Sequence, residues 1–325
     1  MTTKDKVLTI LEKNKGKHIS GSKIAEELNI SRNSIWKAIK SLQDEGHKIS
    51  AVTNKGYSLD LQNTLLSSQS ICKHLKSDMF DIRIYKTVDS TNSMLKLEAE
   101  AGAPAGTIII SEEQTKGRGR MGRAFYSPES TGIYMSILLR PKISAHESLS
   151  ITTCAAVAVA EAIEINSNKK AKIKWVNDIF VDNKKVCGIL TEASLDLENA
   201  GLRYAILGIG INVFTPRKGF PDDISRTSTS IFQDEDYSGE RRSKLIADIL
   251  NIFFNYYEHI QEKPFLYEYK KRSLILDKEI NIIRNKKTLE KAIALDIDEQ
   301  FRLKVKKENG EIEYLNSGEV SIRKS

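Results

Sequence analysis

The segment KGRGRMGRAFYSPESTGIYMSILLRP, residues 116–141, decides which nucleotide-binding folds remain open to the chain. It begins with three glycines and three arginines in seven residues, and from Gly117 the glycines are spaced GxGxxG after an apolar, strand-like run at residues 107–110. A dinucleotide-binding motif needs a helix directly after its glycines, whereas Pro128 and Gly132 argue against a helix here. The segment therefore disfavours a dinucleotide-binding oxidoreductase.

Two other phosphate-binding loops also fail to match this segment. A P-loop would have Lys and Ser or Thr where the chain has Arg123 and Ala124, and a protein kinase would carry HRD and DFG strings, which do not occur. Arginines on a glycine-rich loop build folds poorly, because glycine has much backbone entropy to lose and a buried, unpaired guanidinium is costly. The segment is thus either a basic anion-binding loop or a solvated linker.

The length and composition of the chain indicate a multidomain globular protein. Its 325 residues exceed one comfortable domain, and 40% hydrophobic residues are enough to build real cores. No apolar run approaches the roughly 18 residues of a membrane span, and the N-terminus lacks a secretory signal pattern. We therefore expect a cytoplasmic protein without a membrane partner.

Cysteine and histidine usage argues against several kinds of site. The three cysteines lie far apart without a CxxC pair, the five histidines show no HxxxH spacing, and no GxSxG string occurs. A disulfide framework, a zinc site and a Ser, Cys or His nucleophile consequently have no support. The cysteines are expected to be buried, reduced thiols.

Residues 1–60 predict a winged helix-turn-helix. Apolar residues recur at helical spacing in three short segments, and HKISAVTNKGYSL at residues 47–59 predicts two strands around a turn, which would be a wing. This segment holds 11 Lys or Arg against 7 Asp or Glu, so it carries +4 of the chain's net charge of +7. Such a basic head suggests a polyanion partner.

The third helix of this head presents polar residues opposite its apolar stripe. We expect the DNA-binding residues to be Ser31, Arg32, Asn33, Ser34 and Lys37, with Lys40 on the same face. The alternative is an ordinary solvated helix face. Trp36 is expected to pack against the second helix or the wing.

The remainder of the chain predicts an α+β protein of several domains. Strand patterns at residues 81–88, 107–111 and 133–139 and in the segments IKW, ILTEASLDL and YAILGIGINV alternate with helical patterns at 149–165 and 244–260. From residue 278 short strands follow around turns at residues 285–287, 298–299, 309–310 and 316–318, as in a small barrel. We divide the chain into a DNA-binding domain 1–60, a connector 61–79, a catalytic domain 80–272 and a C-terminal domain 273–325.

Four segments in order resemble motifs of the biotin protein ligases. They are VDSTN at residues 88–92, KGRGRMGR at 116–123, KWVND at 174–178 with KKVCGIL at 184–190, and GEVSIR at 318–323. With the head, the chain is similar to the bifunctional members, which are ligase and biotin-operon repressor in one polypeptide. The resemblance implies an N-terminal winged helix-turn-helix, a central mixed α/β ligase domain and a C-terminal SH3-like β-barrel.

The resemblance also implies an activity and its partners. Such an enzyme joins biotin to ATP, forms biotinyl-5'-AMP and pyrophosphate, and transfers biotin to a lysine of a biotin carboxyl carrier domain. Magnesium accompanies the ATP, and the adenylate-bound protein would bind operator DNA as a homodimer. Two anions meet in the first step, so cations must stabilise the growing charge. This would explain the arginines of the glycine-rich loop.

Site residues are carried over from the family motifs one by one. The resemblance implies Arg120 and Lys185 as catalytic residues and Asp178 as the metal ligand. Biotin would be bound by Ser90, Thr91, Asn92, Gln114, Arg118, Gly119, Arg120 and Lys185. The nucleotide would be bound by Arg120, Arg123, Phe125, Asn177 and Asn212.

One departure and two alternatives remain at this point. Val176 replaces a proline that is usual in the KWVND motif, so the turn lacks a fixed φ and must be shaped by its surroundings. A lipoate ligase would share the fold and the adenylation chemistry but would not need groups that bind a ureido ring. A transcription factor that only senses a small molecule would not need Lys185 and Asp178 beside the basic loop.

Overall fold

The N-terminal head is a winged helix-turn-helix, as predicted. The computed structural model describes residues 2–196, 201–233, 237–284, 288–316 and 319–322. The head contains α1 Thr3–Lys13, α2 Gly21–Leu28, α3 Arg32–Asp44, β1 Ile49–Val52 and β2 Gly56–Leu59. Ser20 and Ser31 cap α2 and α3, since their hydroxyls accept the backbone N–H groups of Lys23 (3.2 Å) and Ser34 (3.1 Å). The head encloses a hydrophobic cluster of its own.

The wing is an antiparallel hairpin with Ile49 opposite Leu59. Gly56 at its turn has φ +97°, and a Cβ there would lie 2.0 Å from the carbonyl oxygen of Ile19. Only glycine combines this left-handed conformation with so close an approach, so the turn is fixed against the chain before α2.

A short connector and a seven-stranded mixed sheet follow the head. The elements up to the last strand of this sheet are α4 Ser68–Cys72, β3 Asp81–Val88, α5 Thr91–Glu100, β4 Thr107–Gln114, β5 Gly132–Leu139, α6 Leu149–Ser167, β6 Lys172–Lys174, β7 Asp178–Val181, β8 Lys184–Asp196 and β9 Gly201–Asn212. The strand order is β3-β4-β5-β9-β8-β7-β6. β3 and β4 are parallel, and the other neighbours are antiparallel. The predicted mixed α/β domain is thereby confirmed.

Helices cover the two faces of this sheet unequally. After β9 come α7 Asp222–Ser225, α8 Gly239–Tyr257 and α9 Leu266–Lys271. The large core contains α6, α8 and one face of the sheet, whereas α5 packs on the opposite face over a small cluster that includes Leu138 and Ile206. α5 is short, so part of that second face stays open.

The apolar helix α6 corrects one expectation from the sequence. By length and composition it could cross a membrane, contrary to the expectation that no such segment exists, but 72% of its most apolar stretch is buried within the fold. Its small side chains let the sheet and α8 approach closely on both sides. It is therefore the central helix of the core.

The connector is bound to the central domain by a buried ion pair. Arg242 of α8, fully buried, lies 2.6 Å from Glu112 Oε2 and donates to the carbonyl oxygens of Thr64 (2.6 Å) and Gly132 (3.2 Å). Glu112 Oε1 accepts the backbone N–H of Leu66 at 2.8 Å. Connector, β4, β5 and α8 are thus joined at one point.

The C-terminal strands form a five-stranded antiparallel sheet. They are β10 Glu279–Arg284, β11 Thr288–Ile297, β12 Leu303–Lys307, β13 Ile312–Leu315 and β14 Glu319–Ile322, in the order β13-β12-β11-β10-β14. Among the described strands β13 and β14 remain edges, so the predicted closure into an SH3-like barrel is not confirmed. Residues 285–287, 317, 318 and Arg323 of the predicted turns and the GEVSIR segment, and Leu197 of ILTEASLDL, lie outside the described residues.

Two smaller expectations about side chains are wrong. Trp36 is half exposed on α3, with Lys40 Nζ 5.4 Å from its ring centroid, instead of packing against the second helix or the wing. Cys72 is exposed, while Cys154 and Cys187 are buried as expected. Trp36 and Cys72 both lie outside the large core, where the spacing of apolar residues in the sequence predicts burial least well.

Candidate active site and DNA-binding surface

An open pocket lies on the sheet face that α5 leaves uncovered. It is lined by Ser90, Thr91, Asn92, Gln114, Arg118, Phe125, Tyr134, Met135, Gly188, Leu190, Gly208, Ile209 and Gly210. The predicted biotin-binding residues therefore include five that line one pocket, namely Ser90, Thr91, Asn92, Gln114 and Arg118. Gly119, Arg120 and Lys185 do not line the pocket itself.

Glycines form the floor of this pocket. In the sheet, Tyr134, Gly210 and Gly188 are in register across three strands, and Ser136 and Gly208 are in register beside them. A Cβ on Gly208 would lie 2.2 Å from Asn92 Oδ1, and one on Gly210 would lie 2.7 Å from the Phe125 ring. The alternation of glycines in GIGIN thus leaves room for side chains that come from other elements.

The first turn of α5 supplies a hydrogen-bonded cluster at one end of the pocket. Ser90 is the N-cap residue of α5, and Gln114 Oε1 accepts from the backbone N–H of Thr91 (2.9 Å) and from its hydroxyl (3.2 Å). Ser136 Oγ lies 2.7 Å from Thr91 Oγ1 and 2.6 Å from Asn92 Oδ1. These polar side chains are mutually oriented and, apart from the partly exposed Gln114, buried, which suits a ligand with several hydrogen-bonding atoms.

The glycine-arginine loop, residues 116–125, folds back on itself at the rim of the pocket. Gly119 N–H donates to the Arg123 carbonyl at 2.7 Å, and Phe125 N–H donates to the Gly117 carbonyl at 2.9 Å. Between them lies a single 3₁₀ turn, Arg120–Gly122, and extended backbone follows. The expectation that no α-helix follows the glycines is confirmed, and with it the exclusion of a dinucleotide motif.

Three cations of the site each contact a different polar partner. Arg118 Nη2 lies 3.1 Å from Glu192 Oε1, and Arg120 Nη1 donates to Asn177 Oδ1 at 2.9 Å. Lys185 Nζ lies 2.7 Å from Asp178 Oδ1. Lys185 reaches Asp178 across Gly188, where a Cβ would lie 3.2 Å from its Nζ. The predicted catalytic and metal-binding residues therefore converge on one side of the pocket.

The turn that carries Asn177 and Asp178 is held from the C-terminal side. Trp175 Nε1 donates to the Phe301 carbonyl at 2.9 Å, and Tyr269 Oη donates to the Val176 carbonyl at 3.0 Å. Burial raises the pKa of Tyr269, so its phenol stays protonated as this donor. Its surroundings thus hold the turn without a proline, as the sequence required. The Trp175–Val176 peptide bond is cis.

The other predicted nucleotide-binding residues occupy separate places around the loop. Phe125 lies over Gly210 and 6.4 Å from the Tyr134 ring, between centroids. Asn212 lies on the same face of β9 as Gly210, and its amide donates to the Thr229 carbonyl at 3.2 Å. Arg123 lies exposed in the loop.

Burial raises the pKa of two groups near the pocket above their usual values. Burial raises the pKa of Tyr134, whose hydroxyl donates to the Pro128 carbonyl at 2.9 Å. Burial likewise raises the pKa of the Cys187 thiol, which is fully buried. Cys187 is therefore unsuited to act as a nucleophile, in line with the sequence expectation.

Potential metal donors are few at this site. Within the described ranges no group of three or more His, Cys, Asp or Glu side chains is arranged to hold an ion. Asp178 is a lone carboxylate beside the Asn177 amide. Magnesium that arrives with phosphate oxygens and water needs few protein carboxylates, so this donor set fits such an ion and does not fit a zinc centre.

The predicted DNA-binding residues share the exposed face of α3. Ser31 is its N-cap residue, Ser34 is partly buried, and Arg32, Asn33 and Lys37 are exposed. Ile35, Ala38, Ile39 and Leu42 are buried on the opposite face. The helix therefore presents a polar and basic surface beside the wing, the arrangement of a recognition helix.

Comparison with known families matches each of these parts. Residues 84–212 match the model of the biotin/lipoate A/B protein ligase family, residues 3–58 match that of an HTH domain, and residues 275–323 match that of the biotin protein ligase C-terminal domain. The fold and the site together define a protein ligase with a DNA-binding head.

The relatives narrow this class. The chain is 39% identical over 251 residues to the bifunctional ligase/repressor BirA of Bacillus spizizenii, with 76% of each chain covered, and 27% identical to that of Escherichia coli over 95% of this chain and 94% of the relative. The biotin protein ligase of Aquifex aeolicus in complex with biotin and ATP superposes with a TM-score of 0.60 at 30% identity, over 75% of this chain and 99% of that one. The chain belongs to the bifunctional biotin ligase/repressor family.

Several residues of the site were not found from the sequence. Ser127, Ser136 and Glu192 bond to predicted residues, and Tyr269 and Phe301 hold the turn before Asp178. None of them belongs to a motif, and each meets the site only through strand register or tertiary packing. The only available signal was the glycine alternation of GIGIN, which predicts an open patch on one sheet face.

Proposed function

We propose that the chain forms biotinyl-5'-AMP from biotin and ATP, biotinylates a lysine of a biotin carboxyl carrier domain, and represses biotin genes while the adenylate is bound. The observation that carries the proposal is a pocket lined by a hydrogen-bonding cluster and by Arg118, with Arg120 and Lys185 beside it. A ureido ring needs the cluster and two reacting anions need the cations. We also propose the domain division 1–60, 61–79, 80–272 and 273–325.

Biotin would enter with its ring system towards α5. Ser90, Thr91 and Gln114 would hydrogen-bond the ureido head, and Asn92 would complete that end of the pocket. Their mutual bonds support this role, because groups already oriented lose less entropy when a ligand arrives. A lipoate ligase, the first alternative, would not use so polar a pocket end, which favours biotin.

The carboxylate of biotin would lie towards the loop. Arg118 and Gly119, with Lys185 opposite, would contact this carboxylate or the acyl-phosphate oxygens. An oxygen of the carboxylate attacks the α-phosphorus of ATP, the bond to the bridging oxygen breaks, and pyrophosphate leaves. Arg120 and Lys185 would stabilise the charge that grows on the phosphoryl oxygens in this step. A sensor without catalysis, the second alternative, would not need these cations.

The nucleotide would lie between the loop and the turn that precedes β7. Arg120, Arg123, Phe125, Asn177 and Asn212 would contact it. Asp178 would hold the magnesium that accompanies ATP, and the ion would offset phosphate charge. In the second half-reaction the acceptor lysine, as the free amine, attacks the acyl carbon; AMP leaves and the amine loses a proton.

The head would bind operator DNA through Ser31, Arg32, Asn33, Ser34 and Lys37. A single winged helix buries little surface on DNA, so a palindromic site and a homodimer are expected. Adenylate would favour the dimer, and the acceptor domain would reverse it by consuming adenylate. If adenylate tightens operator binding, operator DNA must tighten adenylate binding by the same factor.

One assay tests the enzymatic part. Purified protein is incubated with radiolabelled biotin, ATP and magnesium, with and without an acceptor carrier domain. We expect pyrophosphate release and labelled adenylate without the acceptor, and labelled acceptor with it. Label transfer from lipoate in place of biotin would favour the first alternative, and absence of pyrophosphate would favour the second.

Sedimentation and DNA titration at controlled salt, with and without biotinyl-5'-AMP, test the regulatory part. We expect adenylate to increase both self-association and DNA affinity. If neither changes, the head is a DNA tether without a sensing role, and the repressor half of the proposal fails.

A further inference from the structure

Glu192 of β8 contacts the glycine-arginine loop from outside every sequence motif of the site. Its Oε1 lies 3.1 Å from Arg118 Nη2, and its Oε2 accepts from Arg118 Nη1 at 3.3 Å. The carboxylate and the guanidinium thus face each other through two pairs of atoms. Such a pair fixes the orientation of the guanidinium as well as attracting its charge.

Glu192 is itself held by a buried residue. Asn92 Nδ2 donates to Glu192 Oε2 at 2.8 Å, and Asn92 is only 5% exposed. Asn92 cannot move easily, because its Oδ1 contacts Ser136 Oγ at 2.6 Å and lies against the backbone of Gly208. A chain of contacts therefore runs from the start of α5 through Asn92 and Glu192 to Arg118.

Arg118 needs such support more than the other two cations do. It lies on a loop, and 48% of its side chain is exposed, so a free guanidinium there would sample many rotamers. A guanidinium has five N–H groups, and the contacts with Glu192 leave donors for a second anion. Glu192 can therefore hold Arg118 while a ligand is bound.

We propose that Glu192 is the positioning residue of Arg118: it holds the guanidinium at the rim of the pocket, where the carboxylate of biotin and later the acyl phosphate need a donor. The inference rests on the proposed adenylation activity and adds a residue to it. A positioned donor binds the ligand without first losing rotamer freedom, so Glu192 contributes to biotin affinity and adenylate retention.

The opposite role for Glu192 makes the opposite prediction. A carboxylate that merely occupied Arg118 in the absence of ligand would compete with the carboxylate of biotin. Its removal would then tighten biotin binding, and that result would overturn the proposal.

The first experiment compares the full-length chain with its Glu192→Gln variant. We expect the KM for biotin and the release rate of biotinyl-5'-AMP each to rise about five- to twentyfold, as for loss of a charge-assisted contact. The KM for ATP should change little. The control is Glu98→Gln on helix α5, which removes the acid of another Arg–Glu pair, with Arg83 at 2.7 Å, away from the pocket. It should change none of these values.

A double-mutant cycle then tests whether Glu192 acts through Arg118. In an Arg118→Ala background, Glu192→Gln should add nothing further to the release rate. An equal effect in both backgrounds, or no effect in either, overturns the proposal. If Glu192→Gln lowers the thermal midpoint of unfolding more than the control variant does, the cycle is repeated with Glu192→Asp, which keeps the charge but shortens the side chain. An effect on the release rate that disappears in the Arg118→Ala background then supports the proposal, and an equal effect in both backgrounds overturns it. Failure of the wild-type chain to form adenylate would instead refute the proposed function.

Discussion

At the scale of single residues, Arg120 and Lys185 are held in different ways. Arg120 donates to the neutral amide of Asn177, whereas Lys185 is paired with the carboxylate of Asp178. A neutral partner leaves the full positive charge of Arg120 for a ligand. The Lys185 charge becomes available once Asp178 has another cation to bind, as it would when magnesium accompanies ATP.

Removal of either cation should impair adenylate synthesis. Arg120→Ala or Lys185→Ala removes a preorganised donor, so we expect a loss of about 2–4 kcal/mol of transition-state stabilisation in pyrophosphate release assays. Lys184→Ala is the matched control, because Lys184 is the exposed neighbour of Lys185 on β8. Wild-type kinetics in the Arg120→Ala, Lys185→Ala double variant would refute both assignments.

The buried carboxyl of Glu12 should make the stability of the chain depend on pH. Burial raises its pKa above the usual 4.5 despite Lys15 and Lys73 nearby. Below pH 4.5 the group is protonated in both states and costs nothing; as pH rises from there through the raised folded value, ionisation increasingly favours the unfolded chain. We expect Glu12→Gln to gain free energy of unfolding relative to wild type over this interval, measured by urea denaturation. A gap that shrinks with rising pH would contradict this.

At the scale of elements, β9 can form the floor of the pocket because two of its residues are glycines without side chains. Gly208 and Gly210 leave room for Asn92 and Phe125 on one face, while Ile209 and Ile211 are buried on the other. Because one face of β9 packs in the core and the other forms the pocket floor, this part of the pocket needs no long loop. The polar first turn of helix α5 closes one end of the pocket.

A methyl group on the floor should displace Phe125. In Gly210→Ala the new Cβ would lie 2.7 Å from the ring, and overpacking of this kind costs about 1–3 kcal/mol. Because Phe125 is at an open rim, we expect the cost to appear as weaker ATP or adenylate binding, with a nearly unchanged thermal midpoint. Calorimetric titration with each ligand would measure it. A large loss of stability with normal binding would mean that Phe125 is a core residue.

The glycine-arginine loop should be protected by ligand. Arg118 and Arg120 of the loop contact Glu192 and Asn177 at the rim, and residues 121–124 are exposed. Trypsin should therefore cleave after Arg120 or Arg123 in the free protein and more slowly with biotinyl-5'-AMP bound. Cleavage fragments are identified by mass spectrometry. Equal rates in both states would show that the adenylate does not order this loop.

The sequence predicted the elements better than the contacts between them. Helical spacing and the Asn54-Lys55-Gly56 turn were enough for the head, since each of its elements is defined by near neighbours in the chain. Glu192 could not be assigned, because its meeting with Arg118 depends on the register of β8 on β9 and on the position of α5. Trp36 was misjudged because a large apolar side chain is usually buried, and its exposure follows from tertiary placement alone.

At the scale of the whole molecule, the head and the rest of the chain are built on separate hydrophobic cores of unequal size. The head has its own cluster, whereas the central domain and the C-terminal sheet share one, through Phe265 stacked on Phe301 at 5.4 Å between centroids. The connector contacts both bodies, since Asn63 Oδ1 accepts the backbone N–H of Lys48 at 3.1 Å and the Ser67 hydroxyl donates to Glu12 in the head. Leu66 and Ile71 are part of the large core.

Truncations should reveal this asymmetry. A chain that begins at residue 61 keeps Thr64 and Leu66 as partners of Arg242 and Glu112, so we expect it to ligate biotin with near-normal stability but not to bind operator DNA. A chain that begins at residue 79 loses both partners and should be less stable by roughly 2–5 kcal/mol, since hydrogen bonds to buried charges are lost. Urea denaturation of the two chains measures the difference. Equal stability would place the connector outside the folded body.

The buried Arg242 also limits how such proteins can be recombined. Its partners come from the connector, from β4 and from β5, and β4 ends at Gln114, two residues beyond Glu112. A head grafted from a relative at residue 60 would leave this joint intact, whereas a graft that replaced residues 61–71 as well would have to keep the backbone path that presents the Thr64 carbonyl to Arg242 and the Leu66 N–H to Glu112. We therefore expect operator specificity to be exchanged between relatives most readily when the crossover lies at residue 60.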